Sequence, residues 1–145
     1  MDRKDWTMLV IAAADSAPLQ PVQLQKALFL LGENFSRKVL GKNYYKFSAY
    51  DYGPFSSEIY EDAEALQSEN LISITRSPIS RYKLYSTTEA GTEHAAQLRA
   101  ALPSNAQEYV SSVVKFVQSM SFRELVLTIY KHYPKMRANS VFKGR

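Results

Sequence analysis

The acidic run Glu58, Glu61, Asp62, Glu64 and Glu69 is the first place where side-chain types and spacing could do chemistry. On a helix, Glu58 and Asp62 stand at i,i+4 and Glu61 and Glu64 at i,i+3. Each pair would share a face and could hold a proton or part of a cation site. The sequence completes neither use. No histidine or third acid falls at a spacing that closes a metal site, and the two histidines, His94 and His132, lie far apart. They read as a surface residue and as a cation favoured by a helix C-terminus. The absence of Cys removes disulfides, thiolate catalysis and thiolate zinc sites. With no recognisable nucleophile, metal or phosphate-cradle motif, the chain reads as a non-enzyme without metal or cofactor.

Recognition is the second chemistry on offer. In Phe47-Ser-Ala-Tyr-Asp-Tyr-Gly-Pro-Phe-Ser-Ser-Glu-Ile-Tyr60, the rings of Tyr50, Tyr52 and Phe55 crowd a Gly-Pro breaker. Gly53 can take a positive φ, and Pro54 suits the first turn of a helix, so a sharp turn into a helix is expected there. Splayed about that turn, the rings could grip a protein partner, with Tyr50, Asp51, Tyr52, Gly53, Pro54, Phe55 and Glu58 as the candidate contacts. The plainer reading has the rings plug the base of the helix.

Charge offers a third use. The formal net charge is +4, but Lys115, Arg123, Lys131, Lys135, Arg137, Lys143 and Arg145 face only Glu124 in the last stretch, while the acidic run carries no base. Such asymmetry either orients a partner or keeps two faces solvated. In a nucleic-acid reading, a helix from Pro21 to Gly32 enters a groove, and Lys26, Arg76, Arg81 and Lys83 are the candidate phosphate contacts. That helix offers a single base among Gln20, Gln23 and Gln25, and an acidic neighbour would repel DNA.

These residues need a scaffold. A chain of 145 residues, 46% hydrophobic and 22% charged, fits one globular domain. No apolar run reaches a membrane span, and the start Met-Asp-Arg-Lys-Asp-Trp lacks a signal peptide's apolar stretch, so a cytoplasmic protein off the membrane is expected. Trp6, Leu9, Val10 and Ala13 mark a helix from about Asp5 to Ala14. Leu24, Ala27, Leu28 and Leu31 mark an amphipathic helix begun by Pro21. A short helix and loop fill Phe35 to Phe47, and Ile59, Ala63 and Leu66 mark a helix closed by Asn70 in the left-handed conformation. Leu71–Arg76 and Arg81–Ser86 alternate as a hairpin, and Thr87 or Thr88 caps the next helix. Ser104 with Gln107 and Ser121 with Glu124 have capping-box spacing for two more helices. One apolar face is expected from Val110, Val113, Val114 and Val117, and another from Phe122, Leu125, Val126 and Ile129. The expected fold is α+β, mainly α. A winged-helix-like core with a small β-hairpin wing spans residues 1–102, additional C-terminal helices span 103–133, and a peripheral tail spans 134–145.

The order Leu24-Gln-Lys-Ala-Leu-Phe-Leu-Leu31, Phe47-Ser-Ala-Tyr-Asp-Tyr-Gly-Pro54 and Glu58-Ile-Tyr60, with Leu71-Ile72 beyond, resembles the Panacea domain. That domain is also called SocA-like or phage-associated, and the resemblance covers the first two thirds of the chain. It implies an antitoxin that binds and neutralises a cognate toxin protein, directly or as an adaptor that delivers it to a protease, with a protease or chaperone as a further partner. Asp51, in a place more often filled by a bulkier residue, and Phe55-Ser56, in place of an aliphatic residue after Gly-Pro, mark a divergent member. The alternative is a winged-helix DNA-binding transcriptional regulator.

Overall fold

The computed structural model describes residues 1–15 and 17–142, and within them seven α-helices carry two small antiparallel hairpins. The fold is therefore α+β and mainly helical, as the periodicities predict. Helix α1 (Arg3–Ala13) opens on a reciprocal cap, in which Asp2 accepts from the Asp5 N–H and Asp5 accepts from the Asp2 N–H. That cap moves its start ahead of the first apolar residue, because two otherwise unpaired N–H groups find acceptors there.

Helix α2 (Pro21–Asn34) starts at Pro21 as expected but is not a surface helix. Leu24, Ala27, Leu28 and Leu31 are inaccessible to solvent, and Gln23, Gln25 and Lys26 from the polar side of the pattern are buried as well. Elements from later in the chain, the helix Ser104–Gln118 and the strand Gly53–Phe55, close over α2, as does α1. The short helix α3 (Arg37–Leu40) follows and ends at Leu40, whose carbonyl accepts from the Trp6 indole N–H at 3.0 Å.

The Gly-Pro segment departs from expectation. Strands β1 (Ser48–Tyr50) and β2 (Gly53–Phe55) form a hairpin in which Ala49 faces Pro54 and Tyr50 faces Gly53, and helix α4 (Ser57–Ser68) begins only afterwards. Pro54 thus lies in a strand rather than in a helical first turn. Its fixed φ also suits extended backbone, and a two-stranded ladder has outer edges where no N–H is needed. Gly53 does take the positive φ foreseen for it, at 104°.

Asn70 closes α4 at φ 61°, and strands β3 (Ile72–Arg76) and β4 (Lys83–Thr87) pair in the predicted hairpin. Leu19 exchanges backbone hydrogen bonds with Tyr85 of β4, each 2.9 Å, as a one-residue third partner. Thr88 caps α5 (Glu89–Ala100), accepting from the Gly91 N–H and donating to the Asn70 carbonyl. Helix α5 packs so closely there that a Cβ on Gly91 would stand 1.8 Å from the Leu71 oxygen.

In α6 (Ser104–Gln118) the four valines are buried as foreseen, but the Ser104–Gln107 box does not form. Pro103 occupies the cap position, which leaves Ser104 inside the first turn, and the Gln107 amide donates to the Leu102 carbonyl instead. The Ser121–Glu124 box does open α7 (Phe122–His132), and a 3-10 turn follows at Pro134–Arg137. Leu125, Val126 and Ile129 of α7 are buried, whereas Phe122 faces outward.

The sequence α1, Leu19, α2, α4 and β3–β4 has the order of a winged helix, with α3 and β1–β2 set between its second and third helices. The helix just before the wing is therefore the acidic α4 rather than α2. Among the described residues, no helix is long and apolar enough to cross a membrane.

Candidate binding groove

Hairpin β1–β2, the start of α2, α4 and the start of α7 enclose a groove of about 480 Å³. Its walls are aromatic. Tyr50 stacks on Phe55 with centroids 5.1 Å apart, Phe55 meets the edge of Tyr60 at 5.8 Å, and Tyr52 meets Phe122 at 5.1 Å. Tyr82 of the wing and Val22 of α2 complete the lining. Phe55 is half-buried against Tyr60 at the base of α4, as the plainer reading has it, whereas Tyr50 remains 53% exposed, Tyr52 45% and Phe122 40%, so these three rings do not plug a helix base. They stand at a solvent-facing edge, where large apolar surface is free for a partner.

The structure brings most of the expected contact residues together. Tyr50, Asp51, Tyr52, Gly53 and Phe55 line the groove, and Pro54 is buried behind it. Glu58 does not join them. Its carboxylate accepts from Arg3 Nη1 at 2.6 Å, while Arg3 Nε reaches Asp62 at 3.0 Å. Asp62 also accepts from the Tyr45 hydroxyl at 2.6 Å, the Tyr45 hydroxyl lies 2.6 Å from Thr7 Oγ1, and the Arg3 guanidinium lies over the Tyr45 ring. Burial and the bond to Asp62 push the Tyr45 phenol well above its usual range. A further ion pair, Lys4 to Glu69 at 2.7 Å, extends the brace between α1 and α4. The expected solvated acidic face is thus partly a structural clamp. Glu61 and Glu64 of that run remain exposed.

Two polar residues of α2 reach the hairpin from below. Gln25, 2% exposed, donates to the Ser56 carbonyl and accepts from the Ser56 N–H, each at 2.9 Å, which fixes the exit of β2. Lys26, 3% exposed, lines the groove and donates to the Pro54 carbonyl at 3.2 Å. Burial pulls its amine down to about 8. Expected as a phosphate contact on a groove-reading helix, Lys26 instead lies under the hairpin because α2 is the central helix. Gly53 lies beside it, where a Cβ would make ordinary contact with the Lys26 Nζ at 3.6 Å and press on Tyr130 Cε1 at 3.3 Å.

The expected peripheral tail is partly anchored. Asn139 donates to the Ala49 carbonyl, and the Val141 N–H and the Ser140 hydroxyl both donate to the Asp51 carbonyl. Phe142 meets Phe122 at 5.8 Å. These bonds use backbone acceptors of the hairpin that no periodic pattern reports. Lys143 and Arg145 lie outside the described residues.

Of the other bases, Arg76 and Arg81 are exposed on the wing, where Arg76 Nη1 donates to the Arg81 carbonyl at 2.8 Å, and Lys83 is half-buried. Sequence reasoning missed Val22, Tyr60, Tyr82 and Phe122 as groove residues. They come from four separate elements, and no spacing connects them. Among the described residues, no three His, Asp or Glu side chains converge as metal ligands.

No protein-family model matches the chain, and a search of curated proteins returns no match.

Proposed function

We propose that this chain is a non-catalytic protein-binding module of the antitoxin type, acting in the cytoplasm, which neutralises a toxin protein by holding a segment of it in the aromatic groove. The observation that carries this reading is the groove of about 480 Å³ edged by half-exposed Tyr50 and Tyr52. Aromatic anchors beside a preformed apolar recess are what protein interfaces concentrate their binding energy on. The resemblance to the Panacea domain supports the same reading, because the aromatic stretch ending in Tyr-Gly-Pro is the part that builds the hairpin. Neutralisation by direct occlusion needs this surface alone. Delivery to a protease or chaperone would need a second one.

The DNA-binding alternative draws on exposed Arg76 and Arg81. Against it, the helix in the position before the wing is α4, which presents Glu61 and Glu64 and would meet phosphate with like charge. The test is co-expression with the product of the neighbouring gene, read as growth rescue and co-purification. Tyr52→Ala and Phe55→Ala are expected to remain folded by circular dichroism and to weaken capture by about 2 kcal/mol or more. Sequence-specific duplex binding that persists near ~150 mM salt would replace the antitoxin reading with a regulator.

A further inference from the structure

Lys26 is a buried cation whose position the fold does not explain by pairing. Among the described residues the ion pairs are Arg3–Glu58, Arg3–Asp62 and Lys4–Glu69, and none includes Lys26. An ammonium carries three donors, and the hydrogen bond found for this one goes to a neutral carbonyl, that of Pro54. Asp51, the acid on the groove lining, makes no ion pair with it. Burying an amine in apolar surroundings is costly unless a counter-charge meets it. Here the surroundings are the walls of the groove itself, formed by Tyr50, Tyr52, Phe55 and Phe122.

We infer that the groove recognises a partner segment in which an acidic side chain sits beside a large apolar one, the carboxylate pairing with Lys26 and the apolar side chain lying between the aromatic walls. The charge complementarity is specific to this floor. A neutral segment would leave the ammonium desolvated without a partner, and a basic one would be repelled. The reduced affinity of the Lys26 amine for its proton is consistent with this, because a carboxylate arriving at the site would restore the charged form. The inference rests on the groove being a protein-binding site, and it names the chemistry of what that site takes.

The experiment pans a random twelve-residue peptide display library on the whole protein and sequences the retained clones. Enriched peptides are expected to carry Asp or Glu next to Phe, Trp, Tyr or Leu. A synthetic copy with that acid changed to its amide is expected to bind at least about tenfold more weakly to the parent protein. Lys26→Met is expected to remove the difference between acid and amide. No enrichment, enrichment without an acid, or equal binding of acid and amide overturns the inference. The acid–amide comparison on the parent protein decides the matter even if Lys26→Met does not fold. If capture is lost in Tyr52→Ala but unchanged in Lys26→Met, the groove still binds protein and only the acidic specificity is wrong. If both variants capture the enriched peptide as the parent does, the groove reading itself fails.

Discussion

Two buried or half-buried cations flank the middle of this molecule, and they are treated in opposite ways. Arg3 of α1 meets Glu58 and Asp62, and Asp62 in turn takes the Tyr45 hydroxyl, so every charge in the brace has an opposite neighbour. Lys26 of α2 has a single carbonyl and aromatic walls. The first arrangement is complete within the chain and ties α1 to α4 and to the loop that carries Tyr45. The second is incomplete within the chain, and it lies where the surface is apolar and open. A satisfied network is best explained by the fold it holds together, whereas an unmatched charge at the floor of a groove is best explained by what enters the groove.

Breaking the satisfied network gives the largest expected change in stability. Asp62→Ala removes two charge-assisted bonds and leaves the buried Tyr45 hydroxyl only Thr7 Oγ1 as a neutral partner. Because Arg3 stays partly in water, the penalty is set below that of a fully buried pair, at about 2–3 kcal/mol. Chemical denaturation should report that loss with partner capture unchanged. A loss of capture with unchanged stability would reverse the roles given to the two sites.

The incomplete site predicts a stability that depends on pH. The Lys26 amine titrates near 8 in the fold against 10.5 in the unfolded chain. Between those values the unfolded state binds more protons, so stability rises with pH. The phenols of Tyr44, Tyr45, Tyr60, Tyr85 and Tyr109 are all raised, chiefly by burial, and they oppose the trend once free tyrosine ionises near pH 10. The useful window is therefore pH 8 to 10, with a gain of about 2 kcal/mol from Lys26. The same denaturation series on Lys26→Met should lack that gain and should start from an equal or higher stability near pH 7. A parent profile that falls steadily across the window would mean that Lys26 stays charged and solvated.

Gly53 tests the turn that roofs the groove. Its φ of 104° suits glycine, and a Cβ would press on Tyr130 at 3.3 Å, so Gly53→Val should cost about 1–2 kcal/mol. A melting temperature equal to the parent's would show that the hairpin relaxes without strain.

Much of this architecture was legible because it rests on local signals. The Thr88 cap, the left-handed Asn70, the Ser121–Glu124 box and the β3–β4 alternation each depend on a few adjacent residues. The groove depends on residues that meet only in the fold. Strands Ser48–Tyr50 and Gly53–Phe55 have three residues each, too few for an alternation to register, and Asp51-Tyr52 lacks the glycine that marks the common two-residue turns. Lys26 sits on the polar side of its helical pattern, and only the covering of α2 by the hairpin buries it. The anchoring of the tail at Ala49 and Asp51 is made to backbone carbonyls, to which composition and period are blind.

The wing supplies the smallest expected effect and the sharpest contrast with the groove. Arg76 and Arg81 are exposed, and they are tied to each other through one side-chain-to-carbonyl bond rather than to the core. Replacing Arg76, Arg81 and Lys83 together by Gln should change stability by less than ~0.5 kcal/mol, as surface substitutions usually do. It should also leave partner capture within about twofold at moderate salt, because charges at the edge of an interface mainly alter the rate of association. Were the wing a phosphate-binding element, the same triple change would flatten the salt dependence of duplex binding by about one unit of slope for each phosphate no longer neutralised. Capture of a protein through the aromatic groove has no such slope to lose. A measurable duplex affinity that drops with the triple variant would move the functional surface from the groove to the wing.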